Sequence, residues 1–202
     1  MTGFDKVYFL TEEKDVPFQS DEIIVIKTGK AEWGQRLITA LDEIEEEFIY
    51  YSQEDFWAKM PFNPTKYEAT FFKYNMNAFR ITEKLSWFNL DHVEDDLFRF
   101  QQNSCYLMNH MFSLWDKNFF LKFLNPDDSP WQNEIEQTKN ISQYKHAIYL
   151  ENIHWFESSV GKGELRTCGK FLVANHDSEI NEFMKTLNID WATYKLTLPV
   201  CA

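Results

Sequence analysis

Cysteine is scarce and scattered. Cys105, Cys168 and Cys201 form no CxxC pair and no dense framework, which argues against a structural disulfide and fits reduced thiols in a cytoplasmic protein. Glycine and proline number six each, a profile of folded globular chains and not of disordered ones. No run of about eighteen apolar residues occurs, and Met1 to Lys6 lacks a basic start followed by an apolar stretch, so neither a membrane span nor a leader is expected. Positive charge is in deficit, 20 basic against 32 acidic residues for a net −12. That balance repels a phosphate backbone unless the cations share one face, and it disfavours nucleic acid as a partner. A small phosphorylated ligand stays compatible, because a few local cations and a metal can hold a diphosphate in an acidic protein. Also missing are GxxxxGK[ST], GxGxxG after the first strand, GxSxG and HExxH, which removes the main support for kinase, dehydrogenase, serine hydrolase and metalloprotease readings. His92, His110, His146 and His176 show no HxxxH-like spacing that would hold zinc.

What is present is an aromatic, well-patterned chain of 202 residues, 44% hydrophobic and 17% aromatic. It is long enough to bury one sizeable core, and with no linker or repeat it reads as a single domain over 1–202. Lys6 to Leu10 and Ile23 to Ile26 are short apolar runs that predict buried strands. Trp33, Leu37, Leu41 and Ile44 recur at three- and four-residue steps and predict an amphipathic helix. Phe48 to Ser52 then predicts a strand that ends abruptly in Gln53-Glu54-Asp55-Phe56-Trp57. Strand, helix, strand points to an α/β fold with a mixed, mostly parallel sheet flanked by helices. Ligands of such sheets sit beyond the carboxyl ends of strands, where Glu54-Asp55 falls. Further along, Asn63-Pro64 opens a helix, Phe79-Arg80-Ile81 and Leu97 to Phe100 read as strands, and Asp116 caps a helix through Leu124. Ser129-Pro130-Trp131 starts another helix. Strands at 147–150 and 153–156, a Gly161-Lys162-Gly163 turn, a strand at 171–173 and a helix from Asp177 complete the chain.

Two adjacent carboxylates at a strand end suit Mg²⁺ or Mn²⁺, hard ions that take oxygen ligands and bridge to phosphates. Such pairs are more often plain solvated loops. Four segments in order, Trp33-Gly34-Gln35-Arg36-Leu37, Gln53 to Trp57, Ser113-Leu114-Trp115-Asp116-Lys117 and Pro130-Trp131-Gln132-Asn133-Glu134, resemble the motifs of small GT-A-like glycosyltransferases from bacterial polysaccharide loci and viruses. The resemblance runs from about Val7 to Glu134, with a weaker echo at Gly161-Lys162-Gly163. Against that family, the chain opens at what resembles the second strand.

The resemblance implies transfer of a sugar from a nucleotide-diphosphate sugar to an acceptor hydroxyl, with Mg²⁺ or Mn²⁺. It makes Asp55 and Glu54 the metal and diphosphate site, with Asp55 also catalytic. Trp33 and Arg36 would lie near the donor, Arg36 through the paired donors of its guanidinium, and Lys162 would reach a phosphate. Glu134 matches the family's acidic residue after the later tryptophan and would serve as general base. Trp115 and Trp131 would stack on acceptor sugars, and His154, in an alternating strand, would complete the metal shell. Each residue has a plainer reading beside this one: tryptophans at element starts are core more often than not, and a first-turn glutamate often only complements the helix dipole. Two other functions stay open, a non-catalytic glycosyltransferase-fold binding or assembly protein and a viral transferase acting on modified DNA bases. The aromatic content is compatible with a homodimer contact.

Overall fold

The computed structural model describes residues 3–16, 20–53, 56–58, 62–82, 88–141, 146–150 and 154–156. The chain divides into two compact units, one of Met1–Gln53 with Met60–Ile153 and one of Glu54–Lys59 with His154–Ala202. The sequence placed no boundary there. In the second unit, strands β4 (Phe56–Ala58) and β10 (His154–Phe156) form an antiparallel pair.

The first unit opens with β1 (Val7–Thr11) and β2 (Ile23–Lys27), paired in parallel. Helix α1 (Trp33–Glu43) follows and buries Gly34, Leu37, Ala40 and Leu41, the face that its apolar spacing predicts. Its N-cap residue, Glu32, makes no side-chain cap. Instead the loop at 126–128 serves: Gly34 N–H donates to the Asp128 carbonyl and Gln35 N–H to the Pro126 carbonyl, both at 3.0 Å, which satisfies donors that a helix start leaves open.

Six strands form the main sheet: β3 (Phe48–Tyr51), β5 (Ala78–Thr82), β6 (Leu90–Glu94), β7 (Leu97–Phe100), β8 (Ser113–Asp116) and β9 (His146–Leu150). Their spatial order is β3-β8-β5-β9-β7-β6. The sheet is mixed, as expected, but not mostly parallel: β5 with β9 is parallel, and the other four pairings are antiparallel. The strand–helix–strand order at the start of the chain suggested otherwise because β3 does not join β1 and β2. It pairs with β8 from much later in the chain. It is also an edge strand, with Phe48 exposed.

Strand β5 is buried along its whole length. Side chains alternate across a sheet, so Phe79 and Ile81 face one side and Ala78, Arg80 and Thr82 the other. Helix α2 (Pro64–Lys73) covers the first side, where Tyr67 meets Phe79 with ring centroids 6.4 Å apart. The other side carries the larger core, with Ala78, Trp115, Ile148 and Phe100 from the sheet and Leu37, Leu41, Phe119, Phe120 and Ile141 from the helices. These helices are α1, α3 (Lys117–Leu121) and α4 (Pro130–Ile141), with α1 packed on both others. Asp116 caps α3 as its position predicts, its carboxylate accepting from Phe119 N–H at 2.9 Å. Among the described residues no helix is long and apolar enough to cross a membrane.

Candidate functional site

The polar centre of the first unit lies under α4. Register places Tyr51, Ser113, Arg80, Ile148 and Phe98 in one row across the sheet, on the helix-covered face. Arg80 is 1% exposed. One Nη donates to the Leu107 carbonyl, its guanidinium lies 4.5 Å from the centroid of the Phe100 ring, and its Nε and other Nη have no hydrogen-bond partner among the described residues. Burial pulls its pKa down to about 9, with Glu134 acting in the opposite direction, so the group stays cationic at neutral pH.

From Leu107 the chain runs along α4 and is tied to it at Met108 and His110. Met108 N–H donates to the Thr138 hydroxyl at 3.2 Å, and His110 N–H donates to Glu134 Oε1 at 2.8 Å. The His110 ring meets Asn133 Oδ1 at 3.1 Å through Nε2. Asn133 is itself fully buried, its Nδ2 donating to the Phe123 carbonyl at 2.7 Å and to Asp128 at 3.4 Å. Those two acceptors fix the amide's orientation, so Nε2 of His110 carries the proton and Nδ1 is bare. Nδ1 has no partner among the described residues. Burial holds the imidazole to about 3, against a lesser upward pull from the Asn133 bond, so it is neutral at pH 7.

Glu134 is half-buried, and burial raises its pKa while the His110 amide and Arg80 restrain the rise. A carboxylate with raised proton affinity, oriented by a backbone amide, is equipped to take a proton from a hydroxyl. Trp33, at the start of α1, sets its ring edge-on to His110 with centroids 4.5 Å apart. Trp131 is 58% exposed and precedes Glu134 by three residues, the spacing of helix-surface neighbours.

The structure therefore brings Trp33 and Glu134 to one residue, His110, and leaves Trp131 open beside them. Trp115 is a correction: it is 0% exposed, with Phe120 stacked on it at 4.5 Å and Phe119 at 6.3 Å, so neither indole face is open to a sugar. Arg36 turns away from the cluster, its guanidinium 3.0 Å from Glu12 and 3.2 Å from the Thr28 hydroxyl. Glu54, Asp55 and Lys162 lie outside the described residues. So does the side chain of His154, whose backbone in β10 pairs with Ala58 of β4. Among the described residues no group of three His, Cys, Asp or Glu could hold a metal ion. Arg80, His110 and Asn133 carry the cluster without having stood out as candidates. The signal for Arg80 was a lone cation inside an apolar strand run; His110 and Asn133 gave none.

No family model matches the sequence, and no curated protein does. Solved structures do. UDP-glucose pyrophosphorylase complexed with UDP-glucose is 9% identical with a TM-score of 0.51, over 81% of this chain and 66% of that one. Its apo form gives 9% identity and a TM-score of 0.50, over 81% and 64%. The chain shares the pyrophosphorylase fold. It is the mixed α/β, Rossmann-like architecture expected from the sequence, and the chain spans just under two thirds of these neighbours' length. S. aureus TarS residues 1–349 in complex with UDP-GlcNAc also match, at 11% identity and a TM-score of 0.44 over 66% and 41%, too slight a likeness to bear on the fold.

Proposed function

We propose that the chain handles nucleotide sugars and transfers a sugar from a nucleotide-diphosphate donor to an acceptor hydroxyl. The observation that carries this reading is Glu134, a half-buried carboxyl whose proton affinity is raised by burial and whose Oε1 is held by the His110 amide. Attack by a hydroxyl on an anomeric carbon needs a base to take the hydroxyl's proton, and Glu134 has that character. The fold it shares is that of a protein solved with UDP-glucose, which supports the donor class. Trp131, exposed one turn before Glu134, offers an apolar ring face to an acceptor sugar.

Glu54 and Asp55 are the residues that would hold Mg²⁺ or Mn²⁺, since paired carboxylates supply the oxygen donors such ions take. Such an ion, when bound, would neutralise charge on the departing diphosphate. The proton step belongs to Glu134.

Calorimetric titration with a panel of nucleoside-diphosphate sugars, with and without Mn²⁺, tests the donor class. A donor from the panel is expected to bind, and Asp55→Ala to weaken it. Glu134→Gln is expected to retain donor binding and lose transfer by about a hundredfold or more, the usual share of a general base. If no donor binds, the protein is a binding or assembly module on this fold. If transfer survives Glu134→Gln, the base has been misassigned.

A further inference from the structure

We infer that Arg80 is the positioning residue for Glu134: from beneath α4 it anchors the Leu107–His110 segment that holds the Glu134 carboxylate, and it supplies the buried positive charge that balances it. The inference rests on the reading of Glu134 as the base and extends it to the group that favours its ionised form.

The geometry runs in one chain. Arg80 donates to the Leu107 carbonyl. Three residues later, the His110 amide donates to Glu134. Between them Met108 is clamped at both backbone groups by Thr138, its N–H donating to the hydroxyl at 3.2 Å and its carbonyl 3.4 Å from the same oxygen. The segment is thus pinned to β5 at one end and to α4 at the other. Loss of the Arg80 anchor would free the end from which the His110 amide is aimed.

Charge makes the second link. A guanidinium 1% exposed with two nitrogens lacking hydrogen-bond partners among the described residues is costly unless a counter-charge lies near. The Phe100 ring face offsets a little. Among the described residues, the ionisable groups around Glu134 are Arg80 from β5, His110 from the clamped segment and, beyond Asn133, Asp128. His110 is neutral. Asp128 accepts from Asn125 at 3.0 Å and from Asn133 at 3.4 Å, on the far side of the Asn133 amide. Arg80 and Glu134 are left as the pair that acts on each other, each favouring the other's charged form.

The test reads Glu134 directly. Carboxyl resonances of ¹³C-labelled glutamate are titrated in the wild type, with Glu134→Gln to assign the signal, and in Arg80→Met and Arg80→Lys. Arg80→Met is expected to raise Glu134's proton affinity by about tenfold or more, with Arg80→Lys between it and the wild type. The acid limb of the transfer rate should move by the same amount. A folded Arg80→Met protein with an unmoved Glu134 midpoint overturns the inference. Should Arg80→Met fail to fold, Arg80→Gln, which also removes the charge, takes its place in the titration, and an unmoved Glu134 midpoint again overturns the inference. Because the resonance reports protonation and not turnover, loss of the base reading leaves this result standing or falling by itself.

Discussion

Acid should expose the neutral state of His110. The buried imidazole titrates at about 3 in the folded protein against an ordinary 6.5. A depressed folded value means that the unfolded chain binds the proton first, so stability is full above about pH 6.5 and is lost as pH falls toward 3. At pH 5 the solution is 1.5 units below the unfolded histidine's midpoint, which corresponds to about 2 kcal/mol; by pH 3 the loss is about 4 kcal/mol. Glu134 works the other way. Its raised pKa makes the folded state the better proton binder, so it adds stability as pH falls, and the wild-type curve alone mixes the two. The clean quantity is the difference between the wild type and His110→Gln. That variant keeps the backbone amide that serves Glu134, retains a donor for Asn133 and does not titrate. At pH 7.5 it should be less stable by about 0.5–3 kcal/mol, the ordinary range for one substitution. Between pH 7.5 and 5 the wild type's advantage should shrink by about 2 kcal/mol and can change sign. Urea unfolding followed by tryptophan fluorescence at pH 5, 6 and 7.5 measures it. An advantage that stays constant over that range refutes a buried, neutral His110.

Three further substitutions probe how the site is supported. In Gly34→Ala the new Cβ would lie 1.9 Å from the Asn125 carbonyl oxygen; backbone must move, and a loss at or beyond the upper end of about 1–3 kcal/mol is expected, with the wrong result being an unchanged urea midpoint. Asp116→Ala removes the α3 cap and should lower stability by about 1 kcal/mol, measured by thermal unfolding. Trp115→Phe should destabilise the fold yet leave donor and acceptor affinities unchanged by calorimetry; a weakened acceptor would return Trp115 to the sugar site.

Local chemistry made much of the fold legible. The apolar steps of Trp33, Leu37 and Leu41 marked α1, Asp116 marked a cap, and Pro130 a helix start, because each signal depends on a few neighbouring residues. Pairing was not legible. Strand β3 joins β8 across more than sixty intervening residues, and nothing within Phe48–Tyr51 says whether its neighbour runs parallel or antiparallel. The site follows the same division. Glu134 was visible through a motif and a helix position. Trp115 was misread because a tryptophan beside an aspartate looks alike whether its ring faces solvent or Phe120. His110 could not be seen at all, since its role depends on Asn133 and Trp33, which are distant in sequence and adjacent only in the fold.

Burial is the common cause behind the site's chemistry, and it acts with opposite sign on its members. It penalises whichever form is charged, so it lowers the proton affinity of His110 and raises that of Glu134. Arg80 survives the same penalty as a cation, because even at about 9 it remains protonated at neutral pH. The cluster of Arg80, His110 and Glu134 is consequently neutral when Glu134 is ionised and carries one positive charge when it is not. Protonating Glu134 thus relieves one buried charge only by leaving another unbalanced, which limits how far burial can raise its pKa. That balance gives a carboxylate that is a stronger base than an exposed one, with Arg80 favouring its ionised form. Removing the arginine should strengthen the base and at the same time favour its protonated form.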